Sequence, residues 1–310
     1  MKHLPLNNAE YEKLYRDFYQ FIKVKHYSRG KDTMYPSCAR EFLFFVESRG
    51  IDNISDVKAL DVIAYHEYLK ERPNQRRDGG LSDSMIRHHV FSLRLFFDFL
   101  IDSGIRDSSP IYLPKFSMGK HKEREILTEE EVQQVIKACK DRREKALLAI
   151  AYGCGLRRTE IAKLNIKDIQ FGKGSLTVRD GKFGKSRSVP LSNNVIRDLQ
   201  DYVVNQRPDF ITAKTSYEPD AFFLNNTGTR TSGIFLLNTL KQILARTQNP
   251  DILKKEITLH NLRHSIATHL LDHGATMEFV RDFLGHVEMD TSQLYAKRRK
   301  QRMKIQQQIR

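Results

Sequence analysis

Cysteine is scarce in this 310-residue sequence, and long apolar runs are missing. Cys38, Cys139 and Cys154 are odd in number and share no Cys-x-x-Cys spacing, which argues against a disulfide framework and against a thiolate zinc site. No stretch approaches the roughly 18 apolar residues of a membrane span. The opening MKHLPLNNAEYEKL is too polar for a secretory signal, so a cytoplasmic, nucleoid-associated protein is expected. Acid is short as well: 38 Asp and Glu stand against 52 Lys and Arg, a net charge of +14. Such an excess favours a polyanionic partner. Nucleic acid ranks ahead of an anionic membrane, because no strongly amphipathic basic anchor stands out. A merely soluble basic protein is the alternative.

What is present suffices for ordinary cores. Hydrophobic residues make up 40% of the chain, and its length suits two domains. The first third reads as four helices. Tyr11, Leu14, Tyr15, Phe18 and Ile22 recur at three- and four-residue steps behind Asn8, an N-cap candidate. A second stripe runs through Tyr35, Cys38, Phe42, Phe45 and Val46, with Pro36 in its first turn. Further helices are expected over 55–72 and 82–103. The pattern breaks in SSPIYLPKFSMGKHKERE, a basic linker without period. The organisation expected is a helical domain over 1–105, a linker over 106–122 and a second domain over 123–310.

The second domain opens on Thr128 and Glu131, which form a capping box. KALLAIAYGCGLRRTEIAKL reads as an apolar helix interrupted at Gly153 and Gly155. GSLTVRDGKFGKSRSVPL alternates and reads as a β-hairpin with Val178 and Val189 on opposite strands. Helices follow near 193–206, 231–247, 259–273 and 276–284, with a short strand at 222–224. The last residues, YAKRRKQRMKIQQQIR, suit a basic helix. The fold class expected is mainly α with a small antiparallel sheet in the second domain.

Several residues resist explanation by packing. Arg157 follows a Gly-Cys-Gly break at a helix start, where the macrodipole disfavours a cation. An anion shared with the helix amides explains it, and a surface salt bridge to Glu160 is the competing reading. On the helix that begins at Leu259, His260 and Arg263 lie about 60° apart and face one ligand. His264 gives a His-x-x-x-His spacing, but no Glu stands where a zinc hydrolase helix needs its base. Neither metal nor cofactor is expected. His286 follows a glycine turn, and Tyr295 precedes the basic terminus. Two arginines, two histidines, a hairpin lysine and a tyrosine together suit attack on a phosphodiester. Guanidiniums bind the non-bridging oxygens of the transition state. A tyrosyl ester stores the bond energy.

These residues resemble the tyrosine recombinase, or phage integrase, family, and the resemblance spans essentially the whole chain. GCGLRRTEIAKL is similar to the first-arginine motif, DGKFGKSRSVPL to the family's lysine-bearing β-hairpin, LHNLRHSIATHLLDHG to the His-x-x-Arg helix, and LGHVEMDTSQLYAK to the closing motif. The resemblance implies catalytic roles for Arg157, Lys182, His260, Arg263, His286 and Tyr295. It also implies a core-binding, SAM-like helical domain and a catalytic domain that together clamp duplex DNA in a C shape. Arg158, Thr159 and the Phe183-Gly184 order depart from the usual pattern, and Lys185 remains a fallback for the lysine role. With no additional arm-binding domain expected before residue 1, the chain looks like the Xer branch or a simple integrase or invertase.

The function implied is site-specific recombination through a 3′-phosphotyrosyl link and a Holliday junction, without metal or ATP. The partners implied are double-stranded DNA with inverted half-sites and a homotetramer, with or without a related recombinase. A type IB topoisomerase and a catalytically silent DNA-binding regulator are the alternatives.

Overall fold

The computed structural model describes residues 4–25, 27, 34–74, 78–112, 125–179 and 186–285. The chain divides into two compact units, Met1–His121 and Lys122–Arg310.

The first unit is helical throughout its described elements. The Asn8 side chain accepts from the backbone N–H groups of Glu10 and Tyr11 and so starts α1 (Ala9–Val24), whose stripe Tyr11, Leu14, Phe18 and Ile22 is buried. Helix α2 (Met34–Ser48) carries Pro36 in its first turn, where no intrahelical donor is lost. Helix α3 (Ala59–Glu71) begins later than the periodicity suggests. Asn53 caps a separate 3-10 turn, Ile54–Asp56, and the Asp61 carboxylate accepts from the Lys58 N–H to open α3. Helix α4 (Asp83–Asp102) starts on Ser82, whose hydroxyl accepts from the Met85 N–H.

Aromatic rings fill the centre of this unit, with Phe18 edge-on to Phe96 at 5.2 Å and Phe42 edge-on to Tyr65 at 5.1 Å. A polar group is enclosed beside them. Arg72 Nη2 donates to Glu41 Oε2 at 3.0 Å, and His89 Nδ1 lies 3.0 Å from the Tyr65 hydroxyl. Burial, helped by the Arg72 charge, pushes the His89 imidazole down to about 3. This histidine is therefore neutral in ordinary buffers.

In the second unit the Thr128 and Glu131 capping box is formed, at 2.7 and 3.2 Å, and opens α5 (Glu129–Lys137). Helix α6 (Arg142–Leu148) widens into a π turn, Ala149–Gly153, before α7 (Arg158–Lys163). Strands β1 (Ile169–Gln170), β2 (Ser175–Val178) and β3 (Arg187–Pro190) form an antiparallel sheet in the order β1-β2-β3. Val178 stands opposite Arg187, and Val189 opposite Leu176, so both valines face the core from neighbouring strands.

Helices α8 (Asn193–Asn205), α9 (Gly233–Arg246), α10 (Pro250–Lys254), α11 (Leu259–Asp272) and α12 (Met277–Leu284) complete the α-helices among the described residues. The stretch expected as a strand at 222–224 joins no ladder. Single bridges, Asn165 to Ala221 and Leu224 to Arg230, bracket it. Phe222 and Phe223 are both buried, against Tyr202, so the alternation of a half-buried strand is absent. The first described residues of this unit are fastened to α11 and its approach. Asn261 Nδ2 donates to Glu125 O at 2.8 Å, the Leu127 N–H to Ser265 Oγ at 3.0 Å, and Lys255 Nζ to Ile126 O at 3.2 Å.

Candidate active site

The π turn delivers the chain to Gly155, whose φ of +61° lies in the left-handed region. A side chain there would stand 2.7 Å from Leu284 Cδ2, so the position also serves close packing against α12. Two residues on, Arg157 is extended and immediately precedes α7. Its backbone N–H donates to Glu160 Oε2 at 2.8 Å. The anion at this helix start is thus the chain's own carboxylate. That helix is short, six residues, and Glu160 caps it.

The salt bridge to Glu160 exists, at 2.7 Å from Arg157 Nη1, yet it is no surface pair: the Glu160 side chain is 7% exposed and that of Arg157 24%. Helix α11 brings a second guanidinium to the same place. Arg263, at 1% exposure, donates from Nη1 to Gly155 O and from Nη2 to Leu284 O, and its Nη1 lies 3.9 Å from Glu160 Oε2. Arg157 Nη2 donates to the next carbonyl, Gly285 O, at 3.2 Å. The turn that ends α12, where Gly285 has φ +64°, therefore binds both arginines. Arg157 and Arg263 are 106 positions apart in sequence and meet on two adjacent carbonyls and one carboxylate.

A third guanidinium joins them from β3. Arg187 grips Glu160 with two parallel bonds, Nη1 to Oε1 at 3.0 Å and Nη2 to Oε2 at 2.9 Å, and its Nε donates to Phe283 O at 3.2 Å. Burial alone would raise the Glu160 carboxyl, but hydrogen bonds and charge from Arg187, together with bonds from the backbone and side chain of Arg157, hold it at about 2. Three guanidiniums against one carboxylate leave two positive charges in a largely desolvated cluster. Such a group can accept a dianionic transition state through paired N–H donors.

His260 lies one helical turn before Arg263 and is exposed, its ring edge-to-face with the buried His264 at 4.5 Å. His269 turns the other way, its Nδ1 2.9 Å from the Tyr152 hydroxyl, and His273 pairs with Glu129 at 2.6 Å. Lys182, its fallback Lys185, His286, Tyr295 and the basic terminal segment lie outside the described residues. Arg179 and Ser186 are the described residues on either side of the stretch with Lys182, and Gly285 directly precedes His286 in sequence.

Two members of the cluster escape a reading by sequence. Glu160 figures there only as the partner in a bland surface pair, and Arg187 is one basic residue among several in DGKFGKSRSVPL. A signal existed for Arg187. It shares strand parity with Val189, so it points inward, and an inward-facing arginine requires a buried counter-charge.

Residues 125–302 match the model of the phage integrase family. The chain is 30% identical over 284 residues to "Tyrosine recombinase XerC" of Lacticaseibacillus casei (strain BL23), covering 90% of this chain and 91% of the relative. It is likewise 30% identical over 294 residues to "Tyrosine recombinase XerD" of Oceanobacillus iheyensis, covering 93% and 94%. In fold it is similar to the Tn1549 transposon integrase in complex with transposon right end DNA, with a TM-score of 0.71, 19% identity and coverage of 91% and 94%. The XerH site-specific recombinase bound to palindromic difH substrate gives a TM-score of 0.69 at 20% identity, covering 89% and 79%.

Proposed function

Since the chain belongs to the phage integrase family, we infer that it is a tyrosine-type site-specific DNA recombinase that cuts and rejoins duplex DNA through a 3′-phosphotyrosyl intermediate. The observation that carries the assignment of roles is the meeting of Arg157 and Arg263 on the Leu284-Gly285 turn, immediately before His286.

In this reading the two guanidiniums grip the non-bridging oxygens of the scissile phosphate, and Glu160 fixes their forks. The Tyr295 phenol attacks phosphorus as it gives up its proton. The bond from phosphorus to the 5′-oxygen breaks, and Lys182 protonates that oxygen. An unperturbed phenol titrates near 10, so cationic neighbours are needed to stabilise the phenolate. His260 and His286 position the phosphate and assist the transfers. In the reverse sense, a 5′-hydroxyl from a partner duplex attacks the ester and releases Tyr295. The ester conserves the energy of the broken bond, so no nucleotide is consumed. The excess of positive charge suits binding to duplex DNA. Two sites with inverted half-sites, held by four copies of the chain, would exchange one strand pair, form a Holliday junction and exchange the second.

The test uses a nicked duplex carrying the site that the protein itself selects from a random-sequence DNA library. The native chain should leave a covalent protein–DNA adduct on a denaturing gel. Tyr295→Phe should bind the same duplex and leave none. Adduct formation by Tyr295→Phe would remove this residue from the mechanism, and a native chain without adduct would return the protein to a silent DNA-binding role. Exchange between two plasmid-borne sites, rather than relaxation of one supercoiled plasmid, separates recombination from topoisomerase action.

A further inference from the structure

We propose that Arg187 is a positioning residue for strand cleavage: by occupying both oxygens of Glu160, it limits that carboxylate to one bond from the Arg157 guanidinium and leaves the remaining Arg157 N–H groups available to the phosphate. The proposal rests on the recombinase reading and adds to it a residue that acts through Glu160 and the Phe283 carbonyl.

The geometry sets up a competition. Glu160 offers two oxygens, and Arg187 binds both of them in a fork-to-fork arrangement, while the Arg157 side chain holds only Oε1 through Nη1. The second Arg157 terminal nitrogen is directed to Gly285 O instead. Bidentate pairing is the stronger mode for a guanidinium and a carboxylate. With Arg187 removed, Oε2 loses its side-chain partner at 2.9 Å and keeps the Arg157 backbone N–H at 2.8 Å, so the Arg157 fork, already on Oε1 at 2.7 Å, can turn onto both oxygens, while Arg263 Nη1 stands 3.9 Å from Oε2. Turning Nη2 of Arg157 onto Glu160 would release Gly285 O, loosen the turn before His286 and neutralise the charge meant for the phosphate.

Arg187 also sits where three stretches of the site come together. Its own strand follows the stretch with Lys182, its Nε holds Phe283 O at the end of α12, and its terminal nitrogens reach α7 through Glu160. Gly285 leaves room for it: a side chain at that position would meet Arg187 Cδ at 2.7 Å and its Nε and Nη1 at 3.1 Å. The strand does not depend on the arginine for its pairing, because the β2–β3 ladder and the buried Val189 hold β3 in register.

The experiment measures single-turnover adduct formation on the selected nicked duplex by the full-length native chain, R187Q, R187K, E160Q and the double variant E160Q/R187Q. Duplex affinity and thermal melting are followed in parallel. R187Q should cleave about 10–100-fold more slowly, by analogy with the loss of an outer partner of a metal ligand, while affinity for the duplex is retained. R187K should be intermediate. The decisive comparison is the double variant. Removing the carboxylate that would capture Arg157 should make E160Q/R187Q faster than R187Q. A purely structural salt bridge ties any gain in the double variant to recovered thermal melting, so the gain in cleavage must come without a matching rise in melting temperature over R187Q.

Native cleavage rates in R187Q overturn the proposal, as does a double variant no faster than R187Q. Should R187Q fail to fold, the same comparison is made between R187K and E160Q/R187K, with the same sign expected and the opposite sign refuting. No adduct from the native chain would sink the recombinase reading itself. Native adduct indifferent to Arg187 sinks only the present proposal.

Discussion

Replacing Glu160 with glutamine keeps the side chain's shape and deletes the charge that three arginines surround. The carboxyl is held at about 2 against an ordinary 4.5, and each factor of ten in acidity corresponds to about 1.4 kcal/mol. The ionised group therefore stabilises the folded chain by up to about 3 kcal/mol at neutral pH. Its side chain is 7% exposed, so solvent screens little of this.

The sign follows from the lowered folded value. The stabilisation is complete above the unfolded value near 4.5 and is lost as pH falls toward 2. At pH 3 only about 1.4 kcal/mol of it remains. The difference in unfolding free energy between native chain and Glu160→Gln should accordingly narrow by about 2 kcal/mol between pH 7 and pH 3. Urea unfolding followed by far-ultraviolet circular dichroism measures it, a suitable probe for a helical chain with no tryptophan. Parallel stability curves for the two proteins across this window would refute the account of Glu160 as a charge fixed by arginine.

Gly285 and Gly274 form a matched pair of left-handed glycines, with φ +64° and +89°. A side chain at 274 meets nothing within 4 Å, whereas one at 285 strikes Arg187. Gly274→Ala should cost the backbone strain alone, about 1 kcal/mol. Gly285→Ala should cost about 1–3 kcal/mol more by overpacking and slow adduct formation, as melting curves and denaturing gels will register. Equal costs at the two positions would contradict the packing described. In the first unit, His89 titrates at about 3 when folded against 6.5 unfolded, so its stabilisation is present above pH 6.5 and drains away toward pH 3. Hydrogen exchange of α4 amides should quicken as pH falls from 6.5 to 4, after correction for intrinsic rates, and His89→Gln should flatten that response.

The helices were legible where an apolar stripe coincided with a cap, as with Asn8, Ser82 and Thr128. Helix α10 was not, because one short turn such as Pro250–Lys254 has no room for a stripe. Strand β1 is two residues long and leaves no alternation to read. Arg157 could be singled out since it sits awkwardly at a helix start, and Arg263 since it shares a helix face with His260. Glu160 and Arg187 could not be joined by spacing, as they are 27 positions apart on different elements, and the inward parity of Arg187 calls for a counter-charge without naming it. Local patterns report on local conformation, and a charge balance assembled from three separate stretches of chain has no period of its own.

The fastening of Glu125–Leu127 onto α11 gives the second unit a defined load path. Two of its three bonds end on Asn261 and Ser265, which bracket Arg263 and sit within a turn or so of His260. Tension reaching the chain at Glu125 must either stretch those bonds or tilt the helix beneath them. Histidine and arginine then tilt as a single lever, because they ride the same rod.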